Sequence, residues 1–184
     1  MWYVILIIVV LVILNTSTSK AIIGEFFINR LLNRLDKSNY SIYKNLDVSL
    51  DDGNTSQIDH IIVSKYGIFV IKSYNYDGWI SGDETNPIWI QTIYRTKLRF
   101  LNPVLENKGD IKALNSYLNL DTEVYKSIIV FALRSILQKV ETVTPVIHSY
   151  NLVKQIRKQK DILISDEELI LIQSKLEQRR NANG

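Results

Sequence analysis

The sequence predicts a mixed α/β domain built as α/β/α layers around a mixed sheet, preceded by an apolar N-terminal segment that reads as a transmembrane helix. Three observations lead there. A stretch with helical spacing opens the domain, runs of β-branched and aromatic residues separated by turn signals follow, and helical patterns return after Asn102 and at the C-terminus. The chain has 184 residues, and the ~165 after the apolar segment suffice for one domain that buries roughly 70% of its unfolded surface. With 22% charged and 46% hydrophobic residues the chain is globular rather than disordered.

Composition narrows the chemistry. There is no cysteine, which excludes disulfides, thiolate catalysis and cysteine-type zinc or iron–sulfur centres. Two histidines, His60 and His148, are too few for a histidine-rich metal centre. Hydrolysis would have to rest on carboxylates, lysines or hydroxyls. The net charge of +3 permits contact with nucleic acid or anionic lipid without arguing for either.

Met1 to Leu14 carries no charged side chain. As a helix it spans about 21 Å, short of a bilayer core of ~30 Å. Asn15 to Ser19 can extend it toward one interface, while Trp2 and Tyr3 suit the other. A buried core helix fits poorly, since no polar face is left for solvent. A cleaved signal peptide matches the length and a loose small-x-small site at Ser17-Thr18-Ser19, yet lacks a basic start. A retained anchor over residues 1–19, with the domain over 20–184, is the expectation. Lys20, Arg30, Arg34 and Lys37 follow the segment, so the domain is expected on the cytoplasmic side of the cell membrane.

Within the domain, Ala21 to Asp36 predicts an amphipathic helix with Ile23, Phe26, Phe27, Leu31 and Leu35 on its apolar face. Tyr40 to Leu50 and Gln57 to Val63, joined by Asp51-Asp52-Gly53-Asn54, predict a β-hairpin. Ile68 to Ser73 is almost wholly apolar and predicts a central strand. Trp79-Ile80 and Trp89 to Ile93 are further strand-like stretches. Asn102-Pro103 opens a helix through Leu120, with Leu105, Ile111, Leu114 and Leu118 in line. Tyr125 to Leu133 predicts a buried strand, and Val140 to His148 an edge strand weakened by Pro145. A helix is expected over Asn151 to Lys160, and the last one starts at a capping box of Ser165 and Glu168.

Asp59 interrupts an apolar strand, where a carboxylate is costly unless paired, hydrogen-bonded or bound to a cation. Lys72 and Tyr74 alternate with Ser73 and so share one face of the next strand. At these residues the chain resembles the NERD (nuclease-related domain) family. The pieces are Gly24-Glu25, Gln57-Ile58-Asp59-His60, Gly67-Ile68-Phe69-Val70-Ile71, Asn75-Tyr76 with Gly78, Trp89, and Asn102-Pro103 with Asn107, covering roughly residues 21–120.

The resemblance implies a restriction-endonuclease-like fold and a PD-(D/E)xK-type site: a helix glutamate, the aspartate of QIDH and a Glu-x-Lys pair. In that family the carboxylates hold Mg²⁺, which activates water, and the lysine stabilises the developing charge. Glu25 and Asp59 match the first two places and are the metal ligands if metal is bound. Lys72 stands where the glutamate is expected and Tyr74 where the lysine is. An ammonium cannot ligate Mg²⁺, and tyrosine at neutral pH offers only a hydroxyl. Where the family often has Gln and His on the following helix, this chain has Glu106 and Asp110, four residues apart on one helix face.

The resulting expectation is a membrane-anchored domain that binds nucleic acid with an impaired catalytic site. An active Mg²⁺-dependent nuclease with a relocated acid (Glu106 among them) and a lysine from Lys65 or Lys97 is one alternative. A membrane-tethered interaction scaffold is another. For Asp59 a structural ion pair with Lys72 competes with a residual metal or phosphate site, and for Glu25 a solvated first-turn residue competes with a ligand. Lys72 reads either as degenerate or as a fixed charge that binds phosphate. His60 is expected on the opposite face from Asp59. The Lys154, Arg157, Lys158, Lys160 cluster reads as a solvated face, with phosphate or anionic lipid as the alternative contact. Tyr74, Tyr76, Trp79 and Trp89 read as packing or as a surface for stacking single-stranded bases.

Overall fold

A computed structural model of the chain describes residues 2–3, 17–49 and 55–182. The apolar stretch assigned to the anchor and the turn at Asp51–Asn54 lie outside these, apart from Trp2, Tyr3 and the residues from Ser17 on. Among the described residues no helix is long and apolar enough to cross a membrane.

Helix α1 (Ser17–Leu32) leads into β1 (Ser41–Ser49), β2 (Thr55–Ser64) and β3 (Gly67–Tyr74), then β4 (Gly78–Asp83), β5 (Ile88–Ile93) and β6 (Thr96–Leu101). After α2 (Pro103–Leu118) come β7 (Tyr125–Phe131), β8 (Ser135–Glu141) and β9 (Val146–His148), with α3 (Leu152–Ile156) and α4 (Asp166–Ala182) closing the chain. The strands form two sheets rather than the single one expected, in the orders β1-β2-β3-β7-β9 and β6-β5-β4-β8. Both are mixed: β3 runs parallel to β7 and β4 parallel to β8, while the hairpin pairs are antiparallel.

The larger sheet is covered on both faces, which is why β2 and β3 read as continuous apolar runs. On one face Ile61, Val63, Ile68 and Val70 pack with Ala113 and Leu114 of α2 and with Ile172 and Leu176 of α4. On the other, Ile62, Phe69, Ile71 and Ile128 meet Ile28 and Leu32 of α1 and Leu152 and Ile156 of α3. The α/β/α layering is therefore present. A third cluster of Ile80, Trp89, Val104, Ile129 and Phe131 joins the smaller sheet to α2 and β7.

Several elements depart from expectation. Helix α1 ends at Leu32, and Asp36 accepts hydrogen bonds from Ser38 N and Asn39 Nδ2 in the turn beyond. It buries Ile28 and Leu32, and Leu35 is buried in the turn beyond, whereas Phe26 and Phe27 remain exposed. Gly24 explains the rotation: a Cβ there would lie 3.0 Å from the Asn75 side chain, so Gly24, Ile28 and Leu32, each four residues apart, form the face nearest the sheet. Strand β6 is additional, the 140–148 stretch divides between the end of β8 and the short edge strand β9, and α3 is only five residues long. The capping box holds, with Ser165 Oγ accepting from Glu168 N and Glu168 Oε2 accepting from Ser165 N.

Candidate active site

The site forms where β3 runs past the end of its ladder with β2, whose last pair is His60 with Ile71. Beyond that point Lys72, Ser73 and Tyr74 pair only with β7, so their side chains meet partners from elsewhere.

On the α2 face, Lys72 Nζ donates to Asp110 Oδ2 at 2.9 Å and Tyr74 OH donates to Glu106 Oε2 at 2.6 Å. Ser56 Oγ donates to the other Asp110 oxygen at 2.6 Å. The strand spacing of i, i+2 and the helix spacing of i, i+4 are both about 6–7 Å, which lets the two pairs form side by side. Asn102 fixes the helix that carries the acids. Its side chain accepts from Val104 N at the N-cap, and its Nδ2 donates to the carbonyls of Asp83, Glu84 and Asn86. One turn on, Asn107 Nδ2 donates to Val70 O and Ser127 Oγ and bolts α2 to the sheet.

Burial opposes the charge on Lys72. The Asp110 hydrogen bond, with the carboxylates of Asp110, Asp59 and Glu106, outweighs it and holds the ammonium above its ordinary pKa. Burial, then the Glu106 hydrogen bond and charge, push the Tyr74 hydroxyl far above the usual tyrosine range, so it is a proton donor and no anion.

On the other face, Asp59 Oδ2 accepts from Ser73 N at 2.9 Å and from Ser73 Oγ at 3.2 Å. The Asp59–Lys72 ion pair, one of the two readings weighed for Asp59, is absent: each residue has a partner of its own. The cause is a break in strand alternation. The β1–β2 pairing steps from Lys44–His60 to Leu46–Ile58, passing over Asn45, whose φ is 48°, and Asp59. Ile58 and Ile61 both face the α2 core, which strict alternation forbids. Asp59 is turned toward the cleft, and His60 lines that same cleft rather than an opposite face. His60 is buried, its Nε2 lies 3.0 Å from Asn29 Oδ1, and burial lowers its pKa.

The cleft holds about 470 Å³ and is lined by Glu25, Asp59, His60, Ser73, Tyr74 and Arg134 among others. The two matching family acids are therefore brought together. Glu25 accepts from Asn45 Nδ2 at 2.9 Å, and Arg134 is paired with Asp77. Ser73, Asn45 and Arg134 escape the sequence reading; only the alternation placing Ser73 opposite Lys72 could have flagged the first.

The donor set does not fit the divalent cation that the family implies. Among the described residues no three acidic or histidine side chains are grouped to hold a metal. The place of the third carboxylate carries an ammonium, and the nearest alternative acids are hydrogen-bonded to Lys72 and Tyr74. Lys65 lies over the Tyr66 ring at the opposite end of β2, and Lys97 is on β6 of the other sheet.

A family model described as nuclease-related domain (NERD) matches residues 20–132, from α1 to the start of the β7–β8 turn. An uncharacterized protein of Bacillus anthracis is 38% identical over 115 residues, 59% of this chain and 54% of that protein. The chain spans about half the length of this curated relative.

Proposed function

The chain belongs to the nuclease-related domain (NERD) family, and from that premise we propose that its domain binds nucleic acid without cutting it. The observation that carries this reading is the interlocked set Lys72–Asp110 and Tyr74–Glu106. The two side chains that replace the family's acid and lysine have matched partners, so the replacement is compensated within the fold. A third carboxylate would be needed beside Asp59 and Glu25; here Asp110 is ion-paired with Lys72, which stands in the acid's place, and Glu106 accepts from Tyr74, which stands in the lysine's place. Fluorescence anisotropy with labelled DNA and RNA oligonucleotides in EDTA tests the reading. Binding that needs no metal and weakens steeply with salt is expected. A chain that binds no oligonucleotide at low salt would count as a protein-interaction scaffold instead.

We also propose that residues 1–19 tether the domain to the cytoplasmic side of the cell membrane. Support comes from the uncharged run Met1 to Leu14 and from the cations that follow it. Recovery of the chain in the soluble fraction, or its release from membranes by alkaline carbonate, would contradict the tether.

A further inference from the structure

The smaller sheet has one face turned inward and one left open. Ile80 and Trp89 point into the third core cluster. Alternation then sends Trp79, Ser81, Ile90, Thr92, Lys97 and Arg99 the other way. The register ranks them in rows: Ile136, Trp79, Thr92 and Lys97 across the sheet, then Ser81, Ile90 and Arg99. Trp79 is 49% exposed and Tyr94, at the tip of the β5–β6 hairpin, is 98% exposed.

The charge on this face is one-sided. From Thr85 to Leu105 the sequence has no acidic residue, while Arg95, Lys97 and Arg99 fall within the hairpin. Among the described residues none of these three cations is ion-paired. Lys97 and Arg99 are two apart on one strand, their Cα atoms about 7 Å from each other, and so share a face. The acids on the sheet, Asp83 and Glu141, stand opposite one another at the far end of β4 and β8; Asp83 is held by the Thr85 and Asn86 backbone amides. At the near end, Trp79 and Ile136 lie two residues beyond the Asp77–Arg134 pair, and Arg134 lines the cleft.

We infer that this open face is a binding platform for single-stranded nucleic acid, on which Trp79 stacks a base and Lys97 and Arg99 hold the phosphates. The inference rests on the nucleic-acid reading above and adds the surface and the strandedness. An exposed indole beside unpaired cations on an open sheet suits unstacked bases, whose π-faces and backbone are both accessible. A base pair inside a duplex offers no face to stack on.

The test uses the full chain in mild detergent and the anisotropy of a labelled dT20 oligonucleotide and of a 20-base-pair duplex in EDTA. The parent should prefer dT20. Trp79→Ala should weaken dT20 binding about tenfold or more while Trp79→Phe restores most of it. The Lys97→Gln/Arg99→Gln variant should weaken binding and lower the salt slope by about 1.4, for two phosphate contacts on a single strand. Each variant is first checked for parental circular dichroism and melting temperature. Oligonucleotide binding that all these variants retain, or a duplex preference that Trp79→Ala leaves intact, would overturn the platform while leaving the nucleic-acid reading in place. No binding of either oligonucleotide by the folded parent would overturn both.

Discussion

Asp59 and Lys72 sit on neighbouring strands and part company because Asn45 and Asp59 are stepped over in the ladder. That twist hands Asp59 to Ser73 and leaves Lys72 to Asp110, whose side chain is only 7% exposed. Lys72→Met should therefore cost about 2–4 kcal/mol, since it strands a buried carboxylate with Ser56 alone. Adding Asp110→Leu should recover much of that loss, and a thermal double-mutant cycle measures the coupling. The pH dependence has a definite sign. Lys72 and Tyr74 both have pKa values raised in the folded state, and burial raises Tyr43 to about 12. Each contributes stability that is full below its unfolded pKa, ~10 for tyrosine and ~10.4 for lysine, and is lost as pH rises through the folded value. Melting temperature should fall from about pH 10 upward, and Tyr74→Phe should flatten that fall. Glu25 and Asp59, singled out in the sequence, line one cleft. The partners of Lys72 and Tyr74 were not, because residues 38 and 32 positions away meet them only through the fold.

Helix α2 brings Glu106 and Asp110 to the sheet, so the element's anchoring decides the site's geometry. Asn102→Ala removes the cap and three side-chain bonds to the Asp83, Glu84 and Asn86 carbonyls. A loss of about 2–3 kcal/mol is expected, roughly 1 of it from the cap. Asn102→Asp keeps the cap acceptor but sets a buried carboxylate oxygen against the three carbonyls, so it should lose at least as much as Asn102→Ala; a higher melting temperature for the Asp variant would contradict this division of roles. The order of strands and helices was largely readable from periodicity. Two errors have physical causes. Strand β6 passes unread although Lys97, Leu98, Arg99 and Phe100 alternate, because most of the strand is exposed at a sheet edge. The face of α1 is misjudged because Phe26 and Phe27 dominate a hydrophobicity pattern, whereas Gly24 governs which side approaches the sheet.

At the scale of the whole molecule, a nuclease-related domain carries a cleft lined by Asp59 and Glu25, and beside it Lys72 and Tyr74 are engaged by Asp110 and Glu106. Arg134, two residues before Ile136 of the second sheet's open face, is part of the lining of that cleft. Family and layering could be read from one sequence; the division into two sheets could not, since pairing between β4 and β8 joins segments over 50 residues apart. The proposed function joins loss of cutting to retained binding. A nuclease assay on the full chain, with single- and double-stranded DNA and RNA and either Mg²⁺ or Mn²⁺, tests it most directly against an Asp59→Ala control. Intact substrates are expected with parent and control alike, in preparations that still bind oligonucleotide. Metal-dependent cleavage by the parent that disappears in Asp59→Ala would contradict it and return a working acid to this site.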